Sequence, residues 1–226
     1  MTNVLPRILW KNLVEFFKVP SNFETFYVIK QGQARNHDGK KVSLRVIEYF
    51  LTNFVMTKCR VTYILARKND RVKILDENDP EFEKKRDELL ENEYTLSLFN
   101  VRKDYEDKIS NVYHKRLFDC CNRGSKKDKF IFRGANDLQI ETTLRQLVFF
   151  RWAIQNGVCE WIFQNAGRII NAMKADNVEK KRAREENPDI KSREITLRLK
   201  NQNMKPINSK RSRTIIDNSV TSLYID

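Results

Sequence analysis

Apolar residues recur at helical spacing through Val4, Leu5, Ile8, Leu9, Leu13, Val14, Phe16 and Phe17, which predicts an amphipathic helix at the start of the chain. The aromatic and β-branched run from Phe23 to Ile29 reads as a strand, and His37-Asp38-Gly39-Lys40 as a turn. Ser43 is placed to cap a helix whose Leu44, Ile47, Leu51, Phe54 and Val55 share one face. Arg60 to Ala66 alternates as a strand, Asn69-Asp70 is a turn, and Val72 to Leu75 is a second short strand. The charged stretch from Asp76 to Glu91, with Pro80 inside it, reads as a surface excursion holding a short helix.

Tyr94 to Val101 alternates again as a strand. Lys103 to Leu117 reads as a helix with Ile109, Val112, Tyr113 and Leu117 inward. A basic loop from Arg123 to Lys129 leads into a short strand, Lys129 to Arg133, ending at Gly134. The clearest element follows: Thr142 or Thr143 caps a helix through Leu144, Leu147, Val148, Arg151 and Ile154, which stops at Asn156-Gly157. A second helix runs from Val158 to Met173 and closes a helical hairpin over 143–174. These elements predict an α+β fold: a small, mostly antiparallel sheet packed by helices, with a helical hairpin at the end of a globular domain spanning 1–174.

Composition changes the picture after Lys174. Between Lys174 and Arg213 there are 13 Lys/Arg against 6 Asp/Glu, about half of the formal net charge of +13, and Pro188 and Pro206 interrupt the run. Residues 175–226 are therefore expected to form a basic, mostly extended tail that a partner orders. Ordering such a tail costs about 1–2 kcal/mol per residue of conformational entropy, which contacts outside it must offset. Ile195, Leu197, Leu199, Ile215, Ile216 and Leu223 are the residues expected to be buried against other chains. The chain as a whole has 14 Phe, 7 Tyr and 3 Trp, enough for a sizeable core, and the excess charge favours acidic partners.

The chemistry-bearing residues do not assemble into a known catalytic pattern. No nucleophile elbow, P-loop, HExxH or dinucleotide glycine motif is present. His37 and His114 read as exposed polar residues, and the pairs Asp104/Asp107 and Glu91/Glu93 as solvated helix and turn carboxylates. Cys59, Cys120, Cys121 and Cys159 match no zinc ribbon or finger spacing and read as reduced thiols, so no metal and no cofactor are expected. With no secretory leader and no apolar run long enough to span a bilayer, the setting is expected to be intracellular.

The spacing of Ala153, Gly157 and Val158 suggests a helix-turn-helix. Asn156 falls where an apolar residue is expected, however, and the would-be reading helix offers Glu160, Trp161, Phe163 and Gln164, with no cation before Arg168. A packed helical hairpin is the favoured reading. The residues expected to meet a partner or nucleic acid are Arg123, Lys126, Lys127, Lys129, Lys180, Lys181, Arg182, Arg184, Arg193, Arg198, Lys210, Arg211 and Arg213.

Four blocks carry a likeness: Ser43 to Phe54, Phe99-Asn100-Val101 before Tyr105, Lys115 to Asp119 leading to Arg123, and Thr142 to Ile154. In order and spacing they resemble a small family of uncharacterised proteins from nucleocytoplasmic large DNA viruses, over residues 40–174. The chain departs from that pattern at Cys120-Cys121, where a Pro-aromatic pair is expected, and at Val148, where a polar residue is expected. The resemblance implies a viral protein and brings no catalytic residues. The expectation is thus a non-enzymatic virion protein, a minor capsid or core component whose partners are other virion proteins. Its location would be the virion and, during infection, the viral factory in host cytoplasm or nucleus. The alternative is a DNA-binding protein of genome packaging or late transcription, and no small-molecule substrate is expected in either case.

Overall fold

The computed structural model describes residues 4–69, 71–77, 79–113, 117–121 and 128–186. Helix α1 (Val4–Lys18) turns sharply into α2 (Pro20–Lys30), with Pro20 at the helix start where a missing N–H costs nothing. The stretch from Phe23 to Ile29 is thus helical and not the expected strand. Phe23, Phe26 and Ile29 are buried at three-residue intervals, a helical spacing that overrides the strand preference of aromatic and β-branched residues. The expected turn at His37 to Lys40 is present; the buried Asn36 Oδ1 accepts from the Lys40 N–H at 2.7 Å, and Gly39 takes φ +72°.

Helix α3 begins at Leu44–Tyr49 and continues as a wider, π-type coil over Phe50–Lys58, closed by the Cys59 N–H donating to the Phe54 carbonyl at 2.8 Å. Ser43 stands at its N-cap with an extended backbone, but its hydroxyl makes no capping bond. The wider coil lets Phe50 and Phe54 both reach Trp161, with ring centroids 5.2 and 6.2 Å away.

Strands β1 (Thr62–Lys68), β2 (Arg71–Leu75) and β3 (Thr95–Asn100) form an antiparallel sheet in the order β2-β1-β3, with α4 (Phe82–Glu91) between β2 and β3 in sequence. One sheet face sends Tyr63 and Leu65 into the main core. The other face, through Ala66 and Leu75, packs with Leu89 and Tyr94 in a small separate cluster under α4. Helix α5 (Val101–Asp107, with a π-type turn Lys108–Val112) is capped by Asn100, whose side chain accepts from the Lys103 N–H at 2.9 Å. Val112, expected inward, is 49% exposed because the helix ends there.

A second antiparallel pair, β4 (Lys129–Arg133) and β5 (Gln139–Thr143), lies against α1, where Trp10 packs edge-on to Phe130 and Phe132. Strand β5 went unseen in sequence because its short Ile140/Thr142 alternation runs straight into a helix cap. Thr143 accepts from the Gln146 N–H at 3.3 Å and starts α6 (Leu144–Gln155). That helix is the centre of the fold: Leu147, Val148, Phe149, Phe150, Trp152 and Ala153 are all buried, so it is apolar around most of its circumference.

Gly157, at φ +67°, carries the chain into α7 (Val158–Gln164), and Asn165 interrupts the expected single helix before α8 (Ala166–Glu186). The composition change at Lys174 falls inside α8, which stays helical to Glu186; residues 187–226 lie outside the described part. The architecture is α+β, with small antiparallel sheets packed by helices. No helix among the described residues is long and apolar enough to cross a membrane.

Candidate binding surfaces: the basic end of the last helix and a cleft beside strand β2

Helix α8 is anchored along its first half. Ala166 and Ile169 are fully buried, Ile170, Ala172 and Met173 half so, and Asp176 is its last buried residue. The Asp176 carboxylate accepts from the Tyr49 hydroxyl at 2.7 Å and pairs with Lys58 at 3.0 Å, which ties the helix to both parts of α3. Burial and this bond raise the Tyr49 pKa above its ordinary value.

Past Asp176 no large apolar residue holds the helix: Val178 is 51% exposed, and residues 177–186 carry it on for roughly 15 Å. Lys180, Lys181, Arg182 and Arg184 sit on this arm. Lys180 and Arg184 follow Asp176 at four-residue intervals along one side of the helix, and Glu179, three residues after Asp176, borders the same face. Lys181 pairs with Glu185 at 3.8 Å in full solvent contact, an interaction of little energetic weight. Lys129 is spoken for within the β4–β5 hairpin, bonded to Glu141 at 2.7 Å, which holds that carboxyl below its usual range. Arg123, Lys126, Lys127, Arg193, Arg198, Lys210, Arg211 and Arg213 lie outside the described residues.

Two clefts flank β2, and both are lined by Lys73, Glu160 and Gln164. The larger, about 850 Å³, lies between the β1–β2 hairpin, the start of α2 and the α6–α7 turn. Its floor is tight. The α6–α7 turn approaches β2 so closely that a Cβ at Gly157 would sit 2.5 Å from Ile74 Cγ2. Arg67, Arg71 and Lys73 line it. Arg67 donates to the Asn156 side-chain oxygen, and Lys73 lies 5.7 Å from the Tyr94 ring centroid. Neighbouring Lys68 and Lys85 pair with Glu93 and Asp79, whereas Arg67, Arg71 and Lys73 have no carboxylate within 4.0 Å among the described residues. Glu160 is the one carboxylate in the lining among the described residues, and burial raises its pKa against the opposing pull of Lys73. The smaller cleft, about 550 Å³, carries Asp76, Asp79 and Glu88 beside its cations and has no such surplus.

Sequence reasoning passed over Arg67, Arg71 and Lys73 because strand alternation explained them. The available signal was density: Arg67, Lys68, Arg71 and Lys73 lie within seven positions around a single hairpin turn.

The residues weighed for other chemistry are dispersed. Cys120 and Cys121 place their sulfurs 3.7 Å apart, and the bond to Cys121 together with burial raises the Cys120 thiol pKa. Burial pushes the Cys159 thiol up to about 12. Cys59 lies elsewhere, 3.1 Å from the Arg168 guanidinium. Among the described residues no three His, Cys, Asp or Glu side chains are grouped to hold a metal ion, and His114 lies outside them. His37 pairs with Asp38 at 3.1 Å on the surface, Asp104 accepts from the Trp152 indole, and Glu93 pairs with Lys68. The suggested helix-turn-helix is a packed hairpin: Val158, Cys159 and Ile162 are buried, and the turn before them abuts β2.

A family of unknown function, DUF7197, matches residues 82–223, and the chain belongs to it. The matched span takes in α4 through α8 and runs on through the basic C-terminal segment, so that segment is part of the family's pattern. The chain is also similar to a viral protein, the uncharacterized protein L507 of Acanthamoeba polyphaga mimivirus, at 25% identity over 157 residues. That likeness covers 69% of this chain and 49% of the relative, so the chain spans about half the length of the curated protein that it matches. No solved structure matches it.

Proposed function

We propose that the protein is a non-enzymatic structural component of a nucleocytoplasmic large DNA virus, a minor capsid or core protein that grips neighbouring virion proteins through its basic C-terminal arm. The observation that carries this reading is the way α8 leaves the body at Asp176. A helix with no apolar packing over its last turns gains little from its own fold, and its cations are presented outward. The lysines and arginines on that arm complement an acidic protein surface, and the family pattern continues beyond it to residue 223. The likeness to a mimivirus protein supports the viral setting.

Limited proteolysis of intact virions tests this reading. A braced arm keeps residues after Glu186 intact in particles while the isolated protein is trimmed there; equal trimming in both would sink the proposal. The arm's charge also motivates the nucleic-acid reading, in which it meets DNA during packaging or late transcription. That reading requires duplex binding at physiological salt, measured by fluorescence anisotropy, that is lost when Lys180, Lys181, Arg182 and Arg184 are changed to Gln.

A further inference from the structure

We propose that the large cleft beside β2 binds the phosphate of a nucleotide, either free or at the end of a nucleic-acid strand, through Arg71 and Lys73, with Arg67 on the opposite wall. Three cations and, among the described residues, one carboxylate line the cleft, and none of the three cations has a carboxylate within 4.0 Å among those residues, whereas the nearby Lys68 and Lys85 are bonded to acids. Two of the three are guanidinium groups, whose planar donor fork suits phosphate oxygens. Lys73 and Arg71 alternate along the edge strand β2, so both project from the same face of the hairpin, with Arg67 across the turn on the opposite side.

The size and remaining walls point to a nucleotide and not to a bare anion. A space of about 850 Å³ is that of a cofactor-sized ligand site. Half-buried Phe16 and Phe163 offer aromatic surface against which a base can pack. Gln164 supplies an amide close by and already donates to Glu160 at 3.3 Å. The floor is rigid, because Gly157 and Ile74 are in contact and the Arg67–Asn156 bond ties the hairpin to the α6–α7 turn. This site is separate from the C-terminal arm, and it stands whether the arm meets protein or DNA.

Calorimetric titration of the full chain with ATP, and with a single-stranded decanucleotide with and without a 5′-phosphate, tests the assignment at physiological salt. The expected result is one-to-one binding that weakens about tenfold for each of Arg71→Ala and Lys73→Ala. Both residues are exposed or at the strand edge, so matched unfolding midpoints verify that the variants fold. Glu160→Gln, which removes the only carboxylate among the described lining residues, tightens binding. The quadruple Gln variant of the arm leaves ATP binding unchanged, which separates this site from the arm's partner. Binding of ATP identifies a free nucleotide as the ligand, and binding of the phosphorylated strand alone identifies a strand end. No binding of either probe, or binding that the double variant Arg71→Ala/Lys73→Ala leaves intact, overturns the proposal.

Discussion

Three glycines separate the two costs that a methyl group can impose, and together they test the packing of the sheet on the helical hairpin. At Gly39, φ is +72° and nothing lies within 4 Å of an added Cβ. Gly39→Ala therefore meets only the left-handed backbone penalty of about 1–2 kcal/mol, partly offset by a stiffer unfolded chain. At Gly134 the backbone is extended, but an added Cβ would lie 2.1 Å from Phe23 Cδ2. Phe23 is 1% exposed and wedged among Phe26, Tyr27 and Phe132, so the ring cannot swing away. Gly134→Ala should cost about 1–3 kcal/mol from overpacking alone.

Gly157 incurs both costs, φ +67° and a contact of 2.5 Å to Ile74 Cγ2, so Gly157→Ala should lose about 2–4 kcal/mol. The assay is urea unfolding followed by tryptophan fluorescence, with the slope checked for constancy across the set. Ile74→Ala removes the colliding methyl, so the double variant Gly157→Ala/Ile74→Ala should be less destabilised than the sum of the singles by about 1–2 kcal/mol. A Gly157→Ala cost no larger than that of Gly39→Ala, with additive behaviour in the cycle, would refute the close approach of the α6–α7 turn to β2.

Three further outcomes follow from buried polar groups. Asp176→Ala leaves the Tyr49 hydroxyl and the Lys58 ammonium without their acceptor, and should destabilise the protein by about 2–4 kcal/mol, against about 1 kcal/mol for Tyr49→Phe, by the same urea assay. Tyr49, Tyr63 and Tyr105 all have raised pKa values, chiefly from burial, so the folded state holds their protons more tightly than the unfolded chain. Their contribution is present below the unfolded tyrosine pKa of about 10 and is lost as pH rises above it. Stability measured from pH 8 upward should fall beyond about pH 10, less steeply in Tyr49→Phe; a flat profile contradicts the burial of these hydroxyls. Iodoacetamide in native buffer should label the half-exposed Cys59 and Cys121 first and reach the buried Cys120 and Cys159 only on unfolding, read by peptide mass spectrometry.

Local pattern determined much of the fold. The α6–α7 hairpin was legible because Thr143, an unbroken apolar run and Asn156-Gly157 supply cap, core face and stop within a few residues of one another. Strands β1, β2 and β3 were legible because each alternates between two faces, one toward α6 and one toward α4. What failed in sequence were segments whose side-chain type and spacing disagree. Residues 23–29 have strand-favouring side chains at helical intervals, and burial of Phe23, Phe26 and Ile29 against α6 and β4 outweighs intrinsic preference.

The candidate surfaces divide in the same way. The basic run at 180–184 is contiguous and visible in sequence, whereas its presentation on a helix that loses its packing at Asp176 depends on Tyr49 and Lys58, more than a hundred residues upstream. The cleft is wholly a tertiary product. Its cations come from a hairpin near residue 70, its aromatic wall from α1 and α7, and its floor from a glycine that only a neighbouring strand makes indispensable. Periodicity reports which way each side chain faces. Only the packing of distant elements decides which of those faces meet, and whether a cation finds a carboxylate or is left for a ligand.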